Sequence, residues 1–204
     1  KLVTIPNLID TSIYSPRDVS RNNHSIMFAG GLHPHKCIHI LLDAFRLVRQ
    51  KIREAELHIY GDGAMWRGGD DYGNCLKKVK PQGVYFHGYV DNKDMPKIYS
   101  KHSILCLPSK LESFGLVTVE AQACGCIPVV HNVGGVAATL VDGRTGLLYS
   151  PNTPEKLAET IIKAMTVIDT DSSIRQTAID FVRDNISVAT AAEYISKLLH
   201  RLTI

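Results

Sequence analysis

SILCLPSKLESFGLVTVEAQACGCIPVVH, residues 103–131, holds two short apolar runs, 103–107 and 127–131, on either side of a helix-like stretch at 114–124. Five-residue runs rich in Ile, Leu and Val, bounded by Pro and Gly, read as strands buried on both faces. Gly125 supplies the stop for the helix between them. Strand, helix and strand in so short a span call for a parallel pair joined by a helical crossover. The same pattern repeats outward. Apolar runs at 2–5, 25–29, 56–60 and 84–87 read as further strands. Residues 38–52 read as an amphipathic helix, with Ile38, Leu41, Leu42, Phe45, Val48 and Ile52 at three- and four-residue spacing. Asp94 is placed to cap a helix running to about Lys101, with Pro96 in its first turn, and 136–141 reads as a short helix stopped by Asp142-Gly143. The expected fold class is α/β, a doubly wound parallel sheet flanked by helices. Beyond Tyr149 the segment Pro151-Asn152-Thr153-Pro154 opens a helical tail, with helices expected at 155–167, 172–185 and 188–202. The chain reads as one domain over 1–204: a lead-in at 1–20, a core at 21–150 and the tail at 151–204.

Composition narrows the class. The 204 residues carry 23 Lys plus Arg against 20 Asp plus Glu, a formal charge of +3, with 45% hydrophobic and 21% charged residues. Those are the proportions of an ordinary globular protein and exclude a disordered chain. No run of basic residues offers a face for nucleic acid. Five cysteines (37, 75, 106, 124, 126) form an odd set without a CxxC pair, so they read as buried free thiols of a reducing compartment. No window approaches the roughly 18 apolar residues that a membrane-spanning helix needs. The chain opens at Lys1, inside an expected strand, and reads as a piece of a longer protein.

In a doubly wound sheet, ligands bind beyond the carboxyl ends of the strands. Four such loops stand out. Gly30-Gly31-Leu32-His33-Pro34-His35-Lys36 pairs two glycines, which admit close backbone approach, with a lysine before a helix start, which suits phosphate. A zinc site built from His33, His35 and His39 lacks a Cys or carboxylate to complete a tetrahedral set. Gly61-Asp62-Gly63 is not a dinucleotide fingerprint, because Trp66 stands where the third glycine is required. His87-Gly88-Tyr89-Val90 reads as a strand-end turn whose backbone edge could meet a flat base. The fourth loop leads into the helix of the opening stretch, with Glu112 before it and Glu120 inside it. The amides of Gly115, Leu116 and Val117 fall at that helix's positive end, suited to a diphosphate. Two flanking carboxylates accept hydrogen bonds from hydroxyls, which points to a polyhydroxylated ligand such as a ribose or hexose. Read singly, each glutamate is equally an ordinary helix charge.

The spacing Glu112-x7-Glu120 within LESFGLVTVEAQACGCIPVV resembles the E-x7-E motif of retaining glycosyltransferases of the GT-B type, especially family 4. IPNLIDTSIYSP, FAGGLHPHK, LHIYGDG, VYFHGYV, HNVGG and DGRTGLLYSPNTPEKLAE are similar to that family's segments in the family's order, over about 150 residues. The resemblance implies the C-terminal, Rossmann-like half of such an enzyme, the half that binds a nucleotide-sugar donor, with the N-terminal acceptor domain outside this chain. It implies that Glu120 holds the ribose hydroxyls and that Glu112 contacts the transferred sugar. The ammonium of Lys36, with Gly30, Gly31 and the amides from Phe114 through Gly115 and Leu116 to Val117, would bind the diphosphate, and Gly88, Tyr89 and Val90 would lie against the base. Glu112 and Lys36 are then the catalytic pair. No cofactor and no metal are implied, and the expected donor is a UDP-sugar. Asp169 and Asp171 form a DxD between tail helices and read as a capping or loop pair. The implied location is the cytoplasm or the cytoplasmic face of a membrane.

Three positions depart from the family's pattern. Gly31 stands where the family has an arginine, Cys37 where it has glycine, and Ala138 where a glutamate follows the paired Gly134-Gly135. Arg17, Arg21, His33 and His35 are the cations available to substitute for that arginine. The departures leave a second expectation open: a non-catalytic sugar-nucleotide-binding or partner-interaction module built on the same fold.

Overall fold

The structure is a computed structural model that describes residues 5–63, 69–171 and 173–202. Its sheet comprises β1 (Asn22–Ala29), β2 (Glu56–Tyr60), β3 (Val84–Gly88), β4 (His102–Leu107), β5 (Ile127–His131) and β6 (Leu147–Tyr149). The order is β3-β2-β1-β4-β5-β6 and every neighbouring pair is parallel. Helices α1 (Ile38–Lys51), α2 (Gly69–Val79), α3 (Met95–Lys101), α4 (Leu116–Ala123), α5 (Pro154–Thr170), α6 (Ile174–Asn185) and α7 (Val188–Leu202) connect and cover it.

The two-residue period of the strands sorts the core into two layers. Ile26 and Phe28 of β1 join Leu41 and Phe45 of α1 and Leu157 and Ile161 of α5 on one face. Met27 and Ala29 join Met95 and Tyr99 of α3 and Ala121 of α4 on the other. Burial of each large apolar side chain contributes about 1.5–3 kcal/mol, which is why α1 keeps its apolar stripe over 14 residues. All six residues of β4 are buried, as a central parallel strand requires. A third cluster sets Val119 and Ala123 of α4 against Val182 and Ile186 at the end of α6, with Ile9 of the lead-in. Of the tail helices, α5 packs on the first layer and α6 against α4, while α7 is largely exposed.

Several expectations change. Of the strand expected at 2–5, residues 2–4 lie outside the described residues, and Ile5 is in no strand. The lead-in instead makes a single bridge, Ile9 to Ser187. The helix expected at 136–141 is a 3-10 turn, Gly134–Thr139, because its paired glycines and β-branched ends cannot sustain an α-turn. Asp94 precedes α3 without a side-chain capping bond. The short strand β6 and helix α2 had no counterpart in the sequence reading. Cys37, Cys106, Cys124 and Cys126 are buried free thiols, but Cys75 is exposed. Asp171 does cap: it ends α5, and its carboxylate accepts from the Ser173 amide (2.8 Å) and hydroxyl (2.7 Å).

One corner of the sheet is lined with rings. His58 stacks on Tyr85 and His87, and Tyr60 stacks on His87 with centroids 4.4 Å apart. His102 shares hydrogen bonds with the hydroxyls of Tyr60 (2.8 Å) and Ser25, so both ring nitrogens are engaged in the neutral form. Burial, then the neighbouring His58 and His87, pushes the His102 imidazole down to about 3. A base with a depressed folded-state value stabilises the fold above its ordinary value near 6.5 and withdraws that stability as the pH falls toward 3. Urea unfolding between pH 7.5 and 4.5 should show stability falling with acid. His102→Gln should flatten that slope by one proton's contribution, about 1.4 kcal/mol per pH unit. An unchanged slope would mean His102 is not the group that charges.

Candidate functional site

β1 and β4 are neighbours, but the chain leaves β1 for α1 on one face and leaves β4 for α4 on the other. A crevice opens at their carboxyl ends, the switch point of a doubly wound sheet. A cleft of about 360 Å³ lies there. Its walls come from the ends of β1 (Gly30, Gly31), β2 (Tyr60, Gly61, Asp62) and β3 (Tyr89, Val90), and from Tyr99, Val117 and Glu120 on α3 and α4.

Of the residues expected at the site, Gly30, Gly31, Tyr89, Val90, Val117 and Glu120 line this cleft. Lys36 and Glu112 meet each other beside it, Nζ to Oε2 at 2.8 Å, with side chains only 20% and 13% exposed. Gly115 takes a left-handed φ of 80° and turns the chain into α4, whose first amides receive no side-chain cap. Unsatisfied amides at a helix start carry about half a positive charge and invite an anion. Leu116 is exposed, and the Phe114 ring packs against the third core cluster rather than into the cleft, so that stretch presents backbone. Gly88 has φ +73° and accepts a hydrogen bond from the Gly61 amide at 2.7 Å, tying the β2 and β3 loops together.

The loop carrying Glu112 is held from behind. Gly135 donates to the Glu112 carbonyl at 3.3 Å, and a Cβ at Gly134 would lie 2.0 Å from that same carbonyl oxygen. The Lys110 amide donates to the His35 carbonyl at 2.8 Å, fixing the Lys36 turn against the Glu112 loop. Side chains at 134 or 135 would drive the two loops apart.

Tyr60, Asp62, Asn92, Met95 and Tyr99 line the cleft without having been expected there. Asp62 lies in the Gly61-Gly63 turn, whose failure as a dinucleotide motif hid its position at a strand end. Two candidate cations drop out. Arg21 is partly buried, its guanidinium donating to the carbonyls of Cys124 (2.8 Å) and Gly125 (3.0 Å), and Arg17 donates to the Ile13 carbonyl within its own segment. His33 does line the cleft, stacked on His35 with centroids 5.3 Å apart. A Cβ at Gly31 would meet the His33 ring at 2.5 Å, so that ring covers the place where a side chain at 31 would emerge.

Comparison with known proteins assigns this architecture. The family model for glycosyl transferases group 1 matches residues 23–166. The chain belongs to the group 1 glycosyl transferases. It is 33% identical over 144 residues to mannosylfructose-phosphate synthase of Agrobacterium fabrum, covering 68% of this chain and 32% of that one. It is 30% identical over 142 residues to an uncharacterized 41.2 kDa protein in the cps region of Klebsiella pneumoniae, covering 70% and 37%. The chain thus spans about a third of the curated relatives it matches. Among solved structures, sucrose-phosphate synthase of Thermosynechococcus elongatus superposes with a TM-score of 0.82 at 22% identity, over 98% of this chain and 52% of that one. HepE of Anabaena, solved with UDP-glucose, gives a TM-score of 0.81 at 25% identity, over 97% and 57%. These neighbours match the GT-B glycosyltransferase architecture in its C-terminal Rossmann-like domain. Among the described residues no group of three or more His, Cys, Asp or Glu is placed to hold a metal ion, and no helix is long and apolar enough to cross a membrane.

Within this glycosyl transferase cleft, Glu120 is the one strongly desolvated acid. Burial raises its carboxyl above the ordinary value of 4.5, and the hydroxyls of Tyr99 and Tyr14 work against that rise. An acid raised in the folded state contributes stability below its unfolded value, and this is lost as the pH climbs through the folded value. At neutral pH the ionised carboxylate therefore works against the fold. Glu120→Gln should unfold at or above the parent's midpoint at pH 7.5, and the difference should shrink at pH 4 as the parent's carboxyl protonates. A variant less stable at pH 7.5 than at pH 4, relative to the parent, would mean the carboxylate holds the fold.

Proposed function

We propose that the chain is the nucleotide-sugar-binding half of a retaining, metal-independent glycosyltransferase that transfers a hexose from a UDP-sugar to an acceptor held by an N-terminal domain outside this chain. What supports it is Glu120 in the cleft at the carboxyl ends of the strands, the uncapped start of its own helix α4, and the Lys36–Glu112 pair in the loops that follow β1 and β4. Glu120 takes the ribose hydroxyls, and Tyr89 and Val90 lie against the base. Lys36 and the amides of Gly115, Leu116 and Val117 receive the diphosphate. As the bond to the sugar breaks, negative charge grows on the β-phosphate, and a fixed ammonium and helix start stabilise it where it forms. Glu112 contacts the sugar, and Lys36 has donors enough to hold Glu112 and a phosphate together. Attack from the same face as departure retains configuration and asks for no carboxylate nucleophile. UDP is favoured by the solved neighbour that holds UDP-glucose. Free buried thiols favour a cytoplasmic setting, at the membrane face where an acceptor is a lipid.

Thermal-shift titration with UDP, GDP and ADP, without added metal, tests the reading: UDP should raise the unfolding midpoint most, by preferential binding to the folded chain. Lys36→Ala should weaken UDP by about 10–100-fold, the loss of one charged contact worth about 1.5–3 kcal/mol, and leave uridine unchanged. Equal losses for both would give Lys36 a structural role.

One observation favours the second reading, a non-catalytic sugar-nucleotide-binding module: the His33 ring covers Gly31, where the family resemblance implies an arginine. Gly31→Arg should swing that ring aside and tighten UDP about tenfold, an order set by one recovered charged hydrogen bond. No gain in affinity would favour the non-catalytic module.

A further inference from the structure

Glu120 is not held by the cleft alone. Its Oε2 accepts from the hydroxyl of Tyr99, at 2.8 Å, on the neighbouring helix α3. The Tyr99 ring is fully buried among Met27, Met95, Leu105 and Cys124. Tyr14 of the lead-in packs against Tyr99, the two rings 6.5 Å apart at 52°, and its hydroxyl works with that of Tyr99 against the rise of the same carboxyl. Tyr14 is placed there by a built turn. The amides of Ile13 and Tyr14 donate to the Asp10 carbonyl at 3.1 and 2.9 Å, and the Asp10 carboxylate accepts from the Ser12 amide at 2.9 Å. That turn is anchored at both ends. Ile9 exchanges backbone hydrogen bonds with the junction of α6 and α7, and the Arg17 amide donates to Ser100 on α3, next to Tyr99.

We infer that Tyr99 and Tyr14 are positioning residues that hold the Glu120 carboxylate in its ligand-facing orientation, so that the lead-in segment is a working part of the site. The inference rests on the ribose role proposed above for Glu120. A carboxylate offers about four acceptor sites. The Tyr99 hydroxyl on its protein side, with the Tyr14 ring packed beside it, fixes the orientation and leaves the remaining acceptors for a diol. Both tyrosines are dependable donors: burial, reinforced by Glu120 itself, pushes the Tyr14 phenol up to about 12 and the Tyr99 phenol well above its ordinary value. Around the carboxylate, Cys124 one turn along α4 is held as a thiol, also up to about 12. Arg17 and Arg21 act on that thiol from the lead-in and from the start of the sheet, while His33 and Asp62 face Glu120 across the cleft. A buried tyrosine that merely satisfies its own hydroxyl would make the same bond to Glu120. Measurements beyond stability are therefore needed.

The test uses the 204-residue chain and its Tyr99→Phe and Tyr14→Phe variants. Carbon-13 NMR of the glutamate carboxyls, with Glu120 assigned by its loss in Glu120→Gln, reads the clamp without any ligand. The Glu120 titration midpoint should move up in each variant, further in Tyr99→Phe. Tyr14 is only half-buried, so its variant keeps the test alive where Tyr99→Phe fails to fold. Affinities for UDP and for its 2′,3′-dideoxy analogue then read the purpose of the clamp. The parent should prefer UDP by about 10-fold or more, the order of charged hydrogen bonds to two hydroxyls, and the variants should lose most of that preference while binding the dideoxy analogue unchanged. Unmoved midpoints in the folded variants overturn the clamp. Midpoints that move while the preference for UDP persists overturn positioning and leave the ribose role standing. A parent that binds both nucleotides equally overturns the ribose role itself, and the inference with it.

Discussion

The pairing of β1 with β4 decides where everything else can be. Ile26 sits against Ile104 and Met27 against Leu105 in that pair, so the two strands end side by side. Their outgoing chains leave for opposite faces, because α1 must cover Phe28 and α4 must cover Ala29. Backbone cannot fill the gap between diverging connections, and the cleft follows from that geometry. Loops at the strand ends supply much of its wall, Gly30-Gly31 after β1, Asp62 after β2 and Tyr89 after β3, while Tyr99 and Glu120 reach it from inside α3 and α4. The division of labour between rigid sheet and variable loops is why the scaffold can hold a polar, partly charged site in a molecule with an otherwise dry core.

Within that cleft the charges are arranged against the fold's own interest. Glu120 stands half-buried, burial raises its carboxyl above the ordinary value, and the tyrosine hydroxyls work against that rise. A leucine or glutamine in α4 would be easier to bury. Lys36 and Glu112 are likewise largely covered, and taking an ion pair out of water regains little net stability. Packing does not account for these groups, since the neighbouring clusters are apolar; the ligand binding proposed above would. The partly buried Arg21 is the contrast: its guanidinium donates to the carbonyls of Cys124, Gly125, His102 and Tyr99, and so ties the start of β1 to the end of α4.

What could be read in the sequence was what repeats. Buried parallel strands leave unmistakable β-branched runs, and β2, β4 and β5 fall within a residue of where those runs place them. The stripe of α1 is equally plain. β6 is three residues long and α2 has few apolar positions, so neither carries a period to detect. The 3-10 turn at Gly134–Thr139 looked helical because Val136 and Leu140 keep helical spacing, yet its paired glycines serve the Glu112 loop and not a helix. For the site, glycines and lone charges at strand ends were visible, and so were Glu112, Glu120 and Lys36. Tyr60 and Tyr99 were not, because an aromatic residue at a strand end or inside an apolar helix looks like core until the sheet order is known. Tyr14 was further out of reach. Its role depends on the lead-in folding back over α3, a contact between residues 85 apart that no local pattern encodes.

The free site also carries a consequence for how a ligand enters. Lys36 and Glu112 neutralise each other at 2.8 Å, so the lysine is not an idle cation waiting for phosphate. On the function proposed above, an arriving diphosphate would compete with a carboxylate already in place, and would succeed only where the α4 amides add attraction that Glu112 does not enjoy. Glu112, released in part from the lysine, would then need hydroxyl donors of its own, which a sugar attached beyond the second phosphate would supply. A nucleoside diphosphate without that sugar would leave Glu112 beside two phosphates. On that reading the pair would favour the intact donor over the departed nucleotide, through a contact that exists before any ligand binds.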